Sequence, residues 1–179
     1  MQDTSNSYGW VSILLHWLTA IWVLSLWFLG NSSQSLAASN SASLSAWHVS
    51  MGTVGIVLIA LRIWWRWRSG HPRIEGQSSL MHGIGKLAHY AMLLAIVVLV
   101  ISGPLIPWSV TAPLILFETI AVPSPFVARL DFAEQIRELH FLASTTIIII
   151  STLHIAGAFK HMMFNDDETF IRMLVPRKQ

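Results

Sequence analysis

Four long runs of apolar residues, separated by polar or mixed links, set the pattern of this chain. They read "VSILLHWLTAIWVLSLWFLG" at 11–30, "SAWHVSMGTVGIVLIALRIWW" at about 45–65, "LAHYAMLLAIVVLVISGPLIPW" at about 87–107, and a fourth over about 138–159. Each is long enough to cross a bilayer core of ~30 Å, which takes about 20 helical residues. None alternates with the period of two that a barrel strand requires, so helices are the only spanning option. The pattern predicts an all-α fold, a transmembrane four-helix bundle in one membrane-embedded domain over residues 1–179. Pro104 and Pro107 are expected to break the third span.

The links differ in kind. "NSSQSLAASNSASLS", at 31–45, is polar and uncharged and predicts a flexible loop. "RWRSGHPRIEGQSS", at 66–79, is basic and rich in turn formers. "LILFETIAVPSPFVARLDFAEQIRE", at 114–138, is half apolar and suited to lie on the membrane surface.

Composition strengthens the membrane reading. Only 11% of the residues are charged against 54% hydrophobic, about half the charge of an ordinary soluble domain. There is no cysteine, which excludes disulfides, thiolate metal sites and iron–sulfur clusters. No small-residue cleavage pattern follows a basic start, so the first run is expected to stay and span. Arg62, Arg66, Arg68, Arg73, Lys86, Lys160, Arg172, Arg177 and Lys178 fall on the side of the second link and the C-terminus. Arg129 and Arg137 alone fall opposite, so the positive-inside rule puts both termini in the cytoplasm. The bilayer is one partner, and no nucleic acid is expected.

Histidine changes the picture most. An imidazole in hydrocarbon costs free energy unless something binds it. A single such histidine is satisfied by an interhelical hydrogen bond, but here there is a pattern. His140 and His154 are 14 residues apart in the fourth run, which sets them on one helix face ~21 Å apart. His16 lies near the cytoplasmic start of the first span and His48 near the periplasmic start of the second. Depth therefore pairs His16 with His154 and His48 with His140. Zinc wants four tetrahedral ligands, and the spans offer no carboxylate or thiolate to complete a set. A haem needs two axial ligands and supplies the other four donors itself. Two b-type haems satisfy all four histidines, and the lack of a CxxCH motif rules out covalent attachment.

Other residues follow from that frame. Gly52 and Gly55, after His48, suit either close approach of a macrocycle or tight helix packing. Arg62 sits 14 residues after His48, on the same face but at the other pair's depth, where it suits a haem propionate; its alternative is snorkelling to the headgroups. Arg66 and Arg68 are read as headgroup anchors. His161, seven residues past His154 and beside Lys160, and His89 at matching depth in the third span are candidate quinone contacts that handle protons. Their alternatives are an interfacial histidine and an interhelical hydrogen bond. His71 and His82 are expected to be solvated, and Trp10, Trp17, Trp64, Trp65, Trp67 and Trp108 to form an aromatic belt.

The stretches "YGWVSILLHW", "WHVSMGTVGIVLIALRIWWR", "KLAHYAMLL" and "ELHFLAS…LHIAGAFKHMM…DETFIRMLVP" resemble the bacterial cytochrome b561 family in order and spacing over nearly the whole chain. The His–x13–His of the last span with the His–x13–Arg of the second is the specific part. The resemblance implies a four-helix membrane cytochrome with two haem b groups, ligated here by His16, His48, His140 and His154, that exchanges electrons with ubiquinone. It also implies a periplasmic donor, superoxide in some members, or a partner dehydrogenase that such cytochromes serve as membrane subunits. The periplasmic segments hold Glu118, Asp131, Glu134 and Glu138 against Arg129 and Arg137, a balance that does not steer an anion.

Overall fold

The computed structural model describes residues 3–4, 7–35, 38–69, 79–164 and 170–175. Four helices dominate: α1 (Trp10–Ser35), α2 (Ala38–Arg68), α3 (Ser79–Ser109) and α4 (Leu130–Phe164). All four are long and apolar enough to cross a membrane. Among the described residues the buried apolar core is thin, with Ile13, Ile59, Ala95 and Ile147 among its few members. Large side chains such as Ile21, Phe28, Val57, Leu94, Phe141 and Leu153 point outward instead, as they do when lipid is the solvent. Hydroxyls within the spans turn back on their own helices: Thr19 donates to Leu15 O, Thr53 to Val49 O and Thr152 to Ile148 O. Each thereby satisfies a polar group that hydrocarbon would leave unpaired.

The helices run past the expected spans at both ends. The serine- and alanine-rich link at 31–45 is mostly helical, because α1 continues to Ser35 and α2 begins at Ala38. It contains no proline or glycine to stop a helix, and its alanines favour one. Nor do the prolines break α3, which runs through Pro104 and Pro107 to Ser109. Each removes one N–H, but they stand in the last two turns, and the N–H of Ala112 returns to Pro107 O at 3.0 Å to finish the helix. His71 and most of the basic link lie outside the described residues. His82 is not in a loop but half-buried in the first turns of α3.

The stretch expected at the membrane surface holds a β-hairpin, β1 (Leu114–Leu116) paired antiparallel with β2 (Ile120–Val122). Its turn puts Phe117 and Glu118 at φ 49° and 59°, a left-handed pair normally given to Asn-Gly. Two contacts on α2 hold it there. The Phe117 N–H donates to Ser50 Oγ at 2.7 Å, and the Phe117 ring packs edge-on against Trp47 at 6.0 Å. Leu114 is buried beneath the hairpin. After it, the Arg129 N–H donates to Ser109 O and α4 starts at once, so Asp131, Glu134, Arg137 and Glu138 are helical.

The opposite end of the bundle is tied by side chains. Asp3 accepts from the Gly9 N–H at 2.7 Å and from Ser12 Oγ at 2.8 Å, and Trp65 donates its indole N–H to that same Ser12 hydroxyl. The Trp17 indole N–H donates to Met173 O at 2.7 Å, while Phe170 stacks on Phe159. The short 3₁₀ turn Ile171–Met173 is thereby fastened across α1 and α4. In the bundle α1 packs on α2 and α3 on α4, with α2 touching α3. Among the described residues α4 makes at most a few close backbone approaches to α1 or α2, which leaves a cleft between the two helix hairpins.

Candidate functional site

Histidines from both sides meet across this cleft. The His16 and His154 rings face each other with centroids 6.4 Å apart, and those of His48 and His140 at 6.2 Å. All four rings are half-buried. The helices bring together the pairs that depth alone suggested. On α4 the two pairs stand 14 residues apart, or ~21 Å.

The spacing tests what the pairs can hold. Two imidazoles bound to one metal at about 2.0 Å each place their ring centroids ~6 Å apart, which is the separation at both pairs. Among the described residues no group of three or more His, Cys, Asp or Glu is arranged to hold a metal ion. A metal that brings its own equatorial donors fits this donor set, and haem is that metal centre. The residues present fit the group.

Around His48 and His140 the backbone makes room and supplies partners. Gly30 lies so close that a Cβ there would meet the His48 ring at 3.0 Å. His48 Nδ1 is 2.8 Å from Leu26 O. His140 Nδ1 is 2.8 Å from Ser102 Oγ, and a Cβ on neighbouring Gly103 would touch the His140 ring at 3.7 Å. Ser102 is 2% exposed. Sequence reading missed Ser102; the available signal was a single serine in an apolar run, two turns before the end of α3 and at the depth of His140.

At the other pair the neighbours are of a different kind. Arg62 reaches His16 Nδ1 with a guanidinium nitrogen at 3.3 Å. The snorkelling alternative does not describe it, because its side chain points into the cleft and is half-buried. Arg66 and Arg68 are exposed, and Arg68 lies over the Trp64 ring at 5.6 Å. Trp17 packs edge-on against His16 at 5.5 Å. His89 contacts the His154 ring at 5.0 Å, closer to the pair than its expected match with His161 implied. His161 sits half-buried in the last turn of α4, and Lys160 beside it is exposed.

The two glycines after His48 separate. A Cβ on Gly55 would lie 2.6 Å from Trp22 Nε1, so Gly55 serves tight packing. One on Gly52 would have nothing within 4 Å. The belt is partly structural, since Trp17, Trp65 and Trp108 each donate an indole N–H to the protein, while Trp10, Trp64 and Trp67 are exposed.

A family model described as prokaryotic cytochrome b561 matches residues 7–176. The chain is 29% identical over 178 residues to cytochrome b561 homolog 2 of Escherichia coli (strain K12), covering 96% of this chain and 93% of that protein. It is 28% identical over 179 residues to the probable superoxide oxidase CybB of Yersinia pestis, covering 97% and 98%.

Proposed function

The chain belongs to the prokaryotic cytochrome b561 family, and on that premise we propose that it moves electrons through two bis-histidine haems between a periplasmic donor and the quinone pool of a bacterial inner membrane. The reading has the termini and the His16–His154 pair on the cytoplasmic side. The observation that carries it is the pair of facing imidazoles at two depths, 6.4 and 6.2 Å apart. Haem held by these histidines would supply reversible one-electron transfer.

The chain's own residues do the rest. His16 with His154, and His48 with His140, would hold the two centres, with His140 and His154 ~21 Å apart along α4. Arg62 is a cation inside the bundle with no carboxylate partner among the described residues. A propionate is the anion that suits it, since a buried charge demands a counter-charge. Quinone reduction takes two electrons and two protons, so its site needs a proton donor beside the nearer haem. His161 is our first choice for the headgroup contact and His89, against His154, our second. Lys160 stands next to the former at the membrane boundary.

Superoxide is the donor that the name of the Yersinia relative suggests. In that reaction two superoxide ions each give up one electron and leave as oxygen, while one quinone takes both electrons and two protons. A second reading is favoured by the acidic start of α4. Arg129 is engaged with Asp131 at 4.0 Å, and Glu134 and Glu138 are exposed. That surface suits a basic partner protein, a dehydrogenase wired to quinone, better than an anion.

The purified protein tests both. It should show a low-spin b-type spectrum with two haems per chain and reduce ubiquinone when given superoxide. A colourless preparation from haem-replete cells ends the proposal. A stoichiometric soluble partner on co-purification, with no reduction by superoxide, selects the second reading.

A further inference from the structure

We propose that Ser102 is a positioning residue for the His48–His140 pair, accepting the Nδ1 proton of His140 so that Nε2 presents its lone pair to the iron; this rests on the haem reading above. The argument is one of proton counting. Ser102 Oγ lies 2.7 Å from Val98 O and 2.8 Å from His140 Nδ1. A hydroxyl has one proton to give, and a carbonyl has none. Two oxygens 2.7 Å apart with no proton between them would repel, so the hydroxyl donates to Val98 O. The remaining contact then requires His140 Nδ1–H to donate to Ser102 Oγ. A neutral imidazole carries one N–H, which leaves Nε2 as the bare nitrogen.

His48 reaches the same state by another route. Its Nδ1 faces the carbonyl of Leu26 at 2.8 Å, and a carbonyl can only accept. Both rings of this pair are thus held in the tautomer that ligates through Nε2. Ser102 is almost wholly buried, so water does not compete for the bond. A ring whose second nitrogen donates to oxygen is a more basic ligand, and such partners tune the metal.

The His16–His154 pair has no such device. The polar atom beside His16 Nδ1 is an Arg62 guanidinium nitrogen at 3.3 Å, a donor that cannot take an Nδ1 proton. Among the described residues His154 has ring neighbours and no hydrogen bond. Removing the Ser102 hydroxyl should therefore act on one centre alone. With His140 less electron-donating, the ferric form loses preference and the potential of that centre rises.

The experiment is spectroelectrochemistry with low-temperature EPR on the holoprotein in detergent, with haem per chain counted. In Ser102→Ala, the component that His48→Ala removes should move upward by a tenfold change in ferric preference, about 59 mV for one electron, with an altered EPR signal. The other component should stay in place. Ser102→Thr, which keeps the hydroxyl, should restore the native potential. Unmoved potentials in Ser102→Ala overturn the proposal, and so do equal shifts of both components. If Ser102→Ala loses a haem, Ser102→Thr decides: recovery of haem and potential supports the relay, and failure to recover overturns it. Fewer than two haems in the wild-type chain would instead sink the functional reading, which keeps the two failures apart.

Discussion

At one end of the bundle the Nδ1 atoms of His48 and His140 each lie 2.8 Å from a fixed oxygen, of Leu26 and Ser102. At the other end a guanidinium nitrogen stands 3.3 Å from His16 Nδ1, and His154 is flanked by the rings of His16 and His89. The ring separations, 6.2 and 6.4 Å, hardly differ. The same ligand pair can therefore be held in two environments, one neutral and hydrogen-bonded, the other cationic with a titratable neighbour. An electron carrier that only relays charge has no need of the second kind. A centre that meets a proton-consuming acceptor does, and this supports our proposal that quinone meets the chain at the His16–His154 end.

The largest effect should come from the ligands themselves. His48→Ala or His140→Ala should remove or convert one spectral component, and His16→Ala or His154→Ala the other, with haem per chain as the measure. If His16→Ala and His48→Ala perturbed the same component, the two ends would not be separate sites. Next comes the proton donor. His161→Phe keeps the bulk and both haems, and should slow quinone-dependent reoxidation of the reduced protein by at least tenfold, about 1.4 kcal/mol in barrier. Normal reoxidation in that variant, with slow reoxidation in His89→Phe, would move the contact from the last turn of α4 to α3.

Arg62 sharpens the contrast through its sign. A cation favours the reduced, less positive state of a nearby centre, so Arg62→Leu should lower the potential of the His16–His154 component, by up to about 59 mV, the one-electron equivalent of a tenfold change. It should also weaken haem retention there. Ser102→Ala should raise the other component. Opposite shifts, each confined to one end, are what two differently tuned sites require. An unmoved potential with full haem loading in Arg62→Leu would leave the arginine without a propionate partner.

Much of this was legible in the sequence, and the reason is periodicity. Four apolar runs define four helices, and the 14-residue spacing of His140 and His154 survives any small error in helix ends. The pairing of His16 with His154 needed only depth. What failed to read was local. The serine-rich link looked like a loop because serine is polar, yet it holds no proline or glycine, and its described residues are helical. Pro104 and Pro107 looked like breakers because their distance from the helix end is not written in their identity. The hairpin turn at Phe117 and Glu118 carries no glycine or asparagine, since Ser50 and Trp47, remote in sequence, hold it. Ser102 and Leu26 were invisible for a related reason: a carbonyl has no sequence signature, and a lone serine in an apolar run reads as satisfied by its own helix.

The smallest effect separates two glycines one turn apart in role. Gly55 abuts Trp22, whose indole N–H is buried without a hydrogen-bond partner among the described residues. A methyl group at Gly55 would stand 2.6 Å from that nitrogen, so either the indole must turn or α1 and α2 must part. Overpacking of this kind costs about 1–3 kcal/mol. Gly55→Ala should therefore lower the thermal stability of the whole protein and leave the difference between the two potentials nearly as it was. Gly52 lies one turn past His48 on the face toward the cleft, and a Cβ there meets no protein atom within 4 Å. The helix accepts alanine at that position and gains propensity from it. Any loss in Gly52→Ala should then appear as weaker haem retention at the His48–His140 end alone, measured as haem per chain after detergent washing. Should Gly52→Ala unfold the protein, or Gly55→Ala strip haem while leaving stability intact, the roles given to the two positions would have to be exchanged.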